Sequence, residues 1–219
     1  MWEISPWQLF LLGGPVMWPI LLCSIFTLAI VIEKLFFFKA LKTDQTDLLN
    51  LIIASIRRND IHEACAVCDR AQSLTAKVLK AGVLKYGSSK EVVTAAMDEA
   101  ARLEVPRLEE RLPALLTLGN ITPLLGLLGT VTGMCSLFHV IQMRSAAMNP
   151  VTAGDIAGGV WQALITTVAG LLVSIPALSA YNHFVNCQNS YVLEMERSAV
   201  LLANFLTAVS ETIPASDRG

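Results

Sequence analysis

The chain is 219 residues long and carries a formal net charge of −2, which offers no basic surface for nucleic acid. Hydrophobic residues make up 54% of the chain, charged residues make up 16%, and the mean hydropathy is +0.57. Soluble globular domains carry about 25% charged residues, so this composition excludes that class and indicates a membrane protein.

Three apolar runs are each long enough to cross a bilayer as a helix, which takes roughly 20 residues. We predict the spans TM1 at 16–38, TM2 at 117–141 and TM3 at 156–180. Residues 1–15 would form an outer interfacial segment before TM1. Because this beginning lacks basic residues and the first apolar run is too long for a signal-peptide core, we expect no cleaved leader.

The long segment between TM1 and TM2, residues 39–116, has the pattern of several helices with short breaks. Apolar residues at helical spacing predict helices over 48–56, 61–71 and 74–84. Gly87 is a stop signal for the third of these, and Ser89 is a candidate N-cap for the next helix. This next helix is predicted to run on into TM2, with Pro106 and Pro113 as places for a kink.

The segment after TM3, residues 181–219, keeps apolar residues at a three-four spacing from Tyr181 to Val209. This spacing predicts that the helix of TM3 continues beyond the membrane with one face packed on a neighbour. The neighbour is either a second copy of the chain or the helix that precedes TM2. The predicted fold class is an all-α membrane protein with three transmembrane helices, a large helical loop, and long extensions of TM2 and TM3.

Basic residues near the ends of the spans predict the orientation. Lysines follow TM1 and arginines precede TM2, whereas the loop at 142–155 contains only Arg144. By the positive-inside rule, 39–116 and 181–219 are cytoplasmic, and the N-terminus and the 142–155 loop are periplasmic. Tryptophans suited to the outer membrane interface are Trp2, Trp7 and Trp18.

Cys65 and Cys68 form a C-x-x-C motif, with His62 preceding them at the same spacing. No second cysteine pair lies nearby, so we interpret them as reduced cysteines in a helix rather than as a metal or redox site. His139 and His183 lie at opposite ends of TM2 and TM3, and neither span contains a carboxylate. We therefore expect no enzyme active site, no metal and no cofactor.

TM2 and TM3 carry hydroxyls and small residues on helical stripes. Candidate residues for a polar path through the membrane are Thr122, Thr130, Gln162, Thr166, Thr167 and Ser174. Small residues suited to close helix packing are Gly126, Gly129, Gly133, Gly159 and Gly170. At 1.5 Å per residue, Thr130 lies roughly 18 Å into TM2 from the cytoplasmic side and Thr167 roughly 17 Å into TM3 from the outer side. Hydroxyls at this depth either fill a packing interface or solvate a carboxylate brought by another chain.

Two segments closely resemble the signature segments of the MotA/TolQ/ExbB proton-channel family. They are ITPLLGLLGTVTGM, from Ile121 to Met134, and GGVWQALITTVAGLLVSIPAL, from Gly158 to Leu178. The three-span layout, the large loop after TM1 and the Glu33-Lys34 pair extend the resemblance over nearly the whole chain. Three spans rather than four favour the ExbB/TolQ branch over the flagellar MotA branch.

This resemblance implies a homopentamer in the bacterial inner membrane, surrounded by membrane lipids, whose TM2 and TM3 helices line a central cavity. It also implies an ExbD/TolR-like single-span partner with an intramembrane aspartate, and a TonB- or TolA-like protein that receives the force of proton flow. Gln162 departs from relatives that can have glutamate there, and its amide cannot carry a proton. The alternatives are a TolQ-like role in envelope maintenance, another stator such as a gliding motor, and a non-conducting membrane scaffold.

Overall fold

The computed structural model describes residues 6–41, 45–58, 60–71 and 73–212. Within these ranges the backbone forms helices and turns and no strand, which confirms the predicted all-α class. Trp2, one of the predicted interfacial tryptophans, and the end of the tail at 213–219 lie outside the described residues. Trp7 and Trp18 are exposed, at 63% and 56%.

The helices in chain order are α1 (Pro6–Leu12), α2 (Met17–Leu41), α3 (Gln45–Arg57), α4 (Ile61–Ala71), α5 (Leu74–Val83), α6 (Lys90–Glu109), α7 (Leu112–Ala146) and α8 (Ala153–Thr212). Three helical stretches are long and apolar enough to span a membrane, at Met17–Leu41, Lys90–Ala146 and Ala153–Val209. They contain TM1, TM2 and TM3. The chain is therefore an integral membrane protein with three candidate spans.

The helix that leads into TM2 is broken, so the prediction of one helix kinked at its prolines was wrong. α6 ends at Glu109 and α7 begins at Leu112, and Arg111 between them has φ 65°, in the left-handed region. Pro113 lies in the first turn of α7, where its missing N–H removes no helical hydrogen bond. The Arg111 guanidinium forms an ion pair with Glu33 of α2.

The two serines that precede α5 and α6 behave differently. Ser73 caps α5, because its hydroxyl oxygen accepts a hydrogen bond from the Ala76 N–H at 3.1 Å. Ser89 stands at the predicted N-cap of α6 but makes no such bond. Instead, the backbone N–H of Glu91 and the Ser89 hydroxyl hold the pKa of the Glu91 carboxyl below its ordinary value.

The chain divides into two compact units. Of the described residues, the first unit contains those up to Leu35 together with Arg111–Phe184, and the second contains those from Phe36 to Glu110 and from Val185 to 212. The second unit has its own apolar core, in which α8 packs against α3, α4, α5 and α6. Core residues that are almost fully buried include Ile52, Leu79, Met97, Met195 and Leu202. The extension of α8 beyond TM3 therefore packs within its own chain, one of the two arrangements that the sequence left open.

Candidate functional site

TM2 and TM3 pack against each other along a stripe of small residues, which we call the TM2–TM3 seam. Its members are Gly119, Thr122, Gly126, Gly129 and Gly133 on TM2 and Gly159, Ala163, Thr166, Gly170 and Ser174 on TM3. A Cβ added to Gly170 would lie 2.8 Å from the Thr122 carbonyl oxygen, and one on Gly133 would lie 2.9 Å from the Gly159 carbonyl oxygen. The backbones approach so closely that glycine is required at these positions.

The pairing of residues across the seam is antiparallel and lies within one chain. Gly133 meets Gly159, Gly129 meets the Thr166 side chain, and Gly126 meets Gly170. The small-residue stripes of TM2 and TM3 are therefore used to join these two helices to each other. Association with further chains has to use other surfaces of the helices.

Two predicted path residues, Thr122 and Thr166, lie inside the seam and are fully buried. The Thr122 hydroxyl donates to the Leu118 carbonyl oxygen at 2.6 Å. The Thr166 hydroxyl donates to the Ala163 carbonyl oxygen at 2.9 Å and approaches that of Gln162 at 3.1 Å. Because both side chains are fully buried between the two helices and both hydroxyls bond within their own helix, these residues fill the packing interface.

Ser174 connects the two helices at a weak point of TM2. Pro123 lies inside α7 and has no N–H, so it cannot donate to the carbonyl oxygen of Gly119 four residues earlier. The buried Ser174 hydroxyl donates to that same oxygen at 2.6 Å. An unsatisfied carbonyl is costly away from water, so Ser174 replaces the hydrogen bond that Pro123 removes. Pro123, four residues after Gly119 in TM2, is the sequence signal for such a donor.

Ser174→Ala should lower the free energy of unfolding by about 0.6–1.7 kcal/mol, the range found for interhelical hydrogen bonds in a folded membrane protein. With Pro123→Ala, the backbone N–H at position 123 becomes able to donate to Gly119, so Ser174→Ala should cost less in that background. A double-mutant cycle in detergent micelles measures the difference. Ser179→Ala is the matched control, since the exposed Ser179 hydroxyl bonds within its own helix to Ile175. Equal costs of Ser174→Ala in both backgrounds would contradict the explanation.

Thr130 and Thr167 lie at the edge of the TM2–TM3 seam and are half-buried. The Thr130 hydroxyl donates to the Leu127 carbonyl oxygen at 2.6 Å. The Thr167 hydroxyl donates to the Ala163 carbonyl oxygen at 3.1 Å and lies 3.5 Å from that of Gly126 across the seam. The two threonines therefore contact consecutive carbonyl groups of TM2, those of Gly126 and Leu127.

The contacts of TM1 show which edge of the seam carries these threonines. Met17 and Ile20 of α2 belong to an apolar cluster that includes Leu125 of TM2 and Ala169 of TM3. At about 100° per residue, Thr130 lies about 140° from Leu125 around TM2, and Thr167 lies about 160° from Ala169 around TM3. Both threonines thus lie on the edge opposite to TM1, which we call the open edge.

Gln162 lies on the other side of TM3, beneath the turn that leads into TM1. A Cβ on Gly14 would overlap the Gln162 amide nitrogen, and one on Gly13 would come within 3.5 Å of Ile165. Gly14 also has φ +71°, which favours glycine independently of the contact. The sequence grouped Gln162 with the threonines, but the fold separates them.

The C-x-x-C motif lies on α4, away from the spans in sequence. Cys65 is half-buried, His62 is exposed, and Cys68 is 3% exposed. Burial raises the pKa of the Cys68 thiol to about 12, with the neighbouring Cys65 and Asp69 adding to the effect. Since the thiolate is the reactive form, Cys68 is an inert core residue at neutral pH.

Sequence comparisons with known proteins point to one family. The family model described as the MotA/TolQ/ExbB proton channel family matches residues 70–197, more than half of the chain. Two ExbB-like biopolymer transport proteins of Synechocystis sp. are similar to it. The protein ExbB-like 1 is 32% identical over 82% of this chain and 70% of its own length. The protein ExbB-like 3 is 28% identical over 78% of this chain and 81% of its own length.

The Tol-Pal system protein TolQ of Pseudomonas aeruginosa is 36% identical over 55% of this chain and 46% of its own length. The matched region of the family model includes the break before TM2, all of TM2 and all of TM3, and therefore the complete TM2–TM3 seam. The chain belongs to the MotA/TolQ/ExbB proton channel family.

Proposed function

We propose that the chain is an ExbB-like subunit of a proton channel in the bacterial inner membrane. Several copies, five by the family resemblance, would surround an ExbD/TolR-like single-span partner that carries an intramembrane aspartate. Proton flow through this complex would drive movement of the partner and pass force to a TonB-type protein for outer-membrane transport. Each proton supplies about 2.3 kcal/mol per 100 mV of membrane potential.

The observation that carries this proposal is the placement of Thr130 and Thr167 on the open edge. Around them the surface consists of exposed apolar side chains, among them Leu127, Val131 and Leu164. Neither TM2 nor TM3 contains an aspartate or glutamate. Two half-buried hydroxyls in an apolar surface at mid-membrane can rotate away from their own carbonyl oxygens and donate to a carboxylate instead. Since neither span supplies a carboxylate, it has to come from another chain.

The proposal is tested by producing the chain together with an ExbD/TolR-like single-span membrane protein that carries an intramembrane aspartate and comes from the same genome. We expect the two proteins to co-purify in mild detergent. Liposomes that contain both should conduct protons under an applied potential, and liposomes that contain either one alone should not. Replacing the partner's aspartate by asparagine should remove the conductance. A complex that forms but conducts no protons would support the membrane-scaffold alternative.

A TolQ-like role in envelope maintenance is the second candidate, and the similarity to TolQ of Pseudomonas aeruginosa supports it. The channel would be the same and the protein that receives the force would be TolA-like. Deletion of the gene separates the two roles. Loss of energy-dependent uptake indicates the TonB-type role, whereas detergent sensitivity with normal uptake indicates the TolQ-like role.

The proposed orientation places the second unit in the cytoplasm, and cysteine labelling tests it. The native Cys68 is unsuited to report the orientation, because it is buried in the core of the second unit and burial raises the pKa of its thiol. In a chain whose native cysteines are replaced by alanine, a membrane-impermeant maleimide should label Asn149→Cys but not His62→Cys in intact cells. Both positions are exposed, so both should react after permeabilisation. Labelling of His62→Cys in intact cells would show that the second unit lies outside the cytoplasm and that the proposed orientation is wrong.

A further inference from the structure

The second unit contains a groove of about 260 Å³ between α5, α6 and α8. Its floor is apolar and consists of Val78, Met97 and Met195, each 1% exposed. The volume is well above the roughly 30 Å³ that a water molecule occupies in the liquid, so the groove can receive an apolar side chain. Two methionines in the floor make it adaptable, because the methionine side chain is unbranched and polarizable.

The rim of the groove is acidic. Asp98 of α6 and Glu196 of α8 line it and are exposed, and no lysine or arginine lines it. Within the part of the chain that the structure describes, neither carboxylate forms an ion pair. Acidic residues elsewhere in the same unit do form them: Asp69 lies 2.6 Å from Lys80, and Glu104 lies 3.1 Å from Lys77. The groove thus combines an apolar floor with two carboxylates that have no cationic partner.

We propose that this groove binds a basic amphipathic segment, namely the cytoplasmic flank of the single-span partner. An apolar side chain of that segment would enter the floor, and lysine or arginine on either side would pair with Asp98 and Glu196. The cytoplasmic flanks of membrane spans are rich in lysine and arginine, so their charge is complementary to this rim. The inference rests on the proposed function, which supplies both the partner and the cytoplasmic location of the second unit.

Photocrosslinking of the full complex tests this docking. A benzophenone amino acid at position 200, where the exposed Val200 lines the groove, should crosslink to the partner, and mass spectrometry should map the crosslink to its cytoplasmic flank. The double variant Asp98→Lys/Glu196→Lys should lower the crosslink yield about tenfold, because like charges would then face each other. Reversing the charges of the partner's flank in the same complex should restore the yield.

The matched control is Glu99→Lys/Glu194→Lys, which makes the same charge change on the same two helices at exposed positions that do not line the groove. This variant should crosslink like the unmodified complex. An equal loss in the control, or crosslinks from position 200 only to a second copy of the chain, would overturn the docking proposal.

The partner should still co-purify with the charge-reversed complex, because its transmembrane helix is held by the spans. Failure of the partner to co-purify with the unmodified chain would instead overturn the proposed function. The two proposals can therefore fail separately.

Discussion

Gly170→Leu should separate TM2 from TM3 and remove most of the stability of the membrane-embedded hairpin. A Cβ alone at position 170 would lie 2.8 Å from the Thr122 carbonyl oxygen and 3.2 Å from the Gly126 Cα. These are backbone atoms, so no side-chain rotation relieves the overlap, and forcing a large side chain into such a contact costs about 3 kcal/mol or more. The free energy of unfolding in mixed micelles, followed by circular dichroism during a titration with dodecyl sulfate, should fall by at least that amount.

Gly158→Leu provides the matched control on the same helix. A Cβ on Gly158 would meet no atom within 4 Å, whereas one on the neighbouring Gly159 would lie 2.6 Å from the Leu137 Cβ. Removing a glycine from a helix interior without creating a clash stabilises it by up to about 1 kcal/mol. Gly158→Leu should therefore leave the unfolding free energy unchanged or raise it slightly. A similar loss of unfolding free energy in Gly158→Leu and Gly170→Leu would show that contacts along the TM2–TM3 seam do not stabilise the packing of TM2 against TM3.

The arrangement of elements could largely be predicted from the sequence, because it depends on patterns that are local. Apolar runs of sufficient length predicted all three spans, and helical spacing predicted α4 with the same bounds, Ile61–Ala71, that the structure has. The continuation of TM3 into a long helix was predicted for the same reason. Each of these predictions needed only one continuous stretch of fewer than about 30 residues at a time.

The break before TM2 has a local signal that was interpreted as a kink. Pro113 lacks the N–H that would bond to the Glu109 carbonyl oxygen, and Glu109 is the last residue of α6. Arg111 adopts its left-handed conformation while paired with Glu33, which is far away in the chain. The positive φ of an arginine has no sequence signal of its own, so the position of the break within this segment could not be predicted.

The candidate site was predicted as a set of residues, but their distribution around the helices was not. Helical periodicity identifies which residues share a stripe, whereas only the position of TM1 shows which stripe is covered. Leu125, Ala169 and the turn at Gly14 place TM1 against one side of the hairpin and leave Thr130 and Thr167 on the other. Gln162, Thr130 and Thr167 all have uncharged polar side chains, so the sequence alone does not separate them. In the fold, Gln162 lies beside Gly14 on the side of TM1, whereas the two threonines lie on the open edge.

Thr130→Val and Thr167→Val should each lower proton conductance at least about tenfold in liposomes that contain the chain and its single-span partner. Valine keeps the shape of threonine, so the unfolding free energy measured in micelles should stay nearly unchanged at these half-buried positions. The hydroxyl is lost, and with it a hydrogen bond to a partner carboxylate or to water beside it. An ionised carboxylate at that depth is then less well solvated, which favours its protonated form and slows proton release.

Thr132→Val is the control for this pair of substitutions. Thr132 lies about 200° from Thr130 around TM2, on the side of TM1, and its hydroxyl donates to the Gly129 carbonyl oxygen at 3.0 Å. Thr132→Val therefore removes a hydroxyl at nearly the same depth without changing the open edge. The proton conductance of the complex with this variant should stay within about twofold of that of the unmodified complex. Unchanged conductance in both Thr130→Val and Thr167→Val would make these threonines packing residues and remove the open edge as the place where the proton passes. A loss in Thr132→Val as large as theirs would mean that hydroxyls on any side of the helix affect conduction, and the position relative to TM1 would no longer explain the effect.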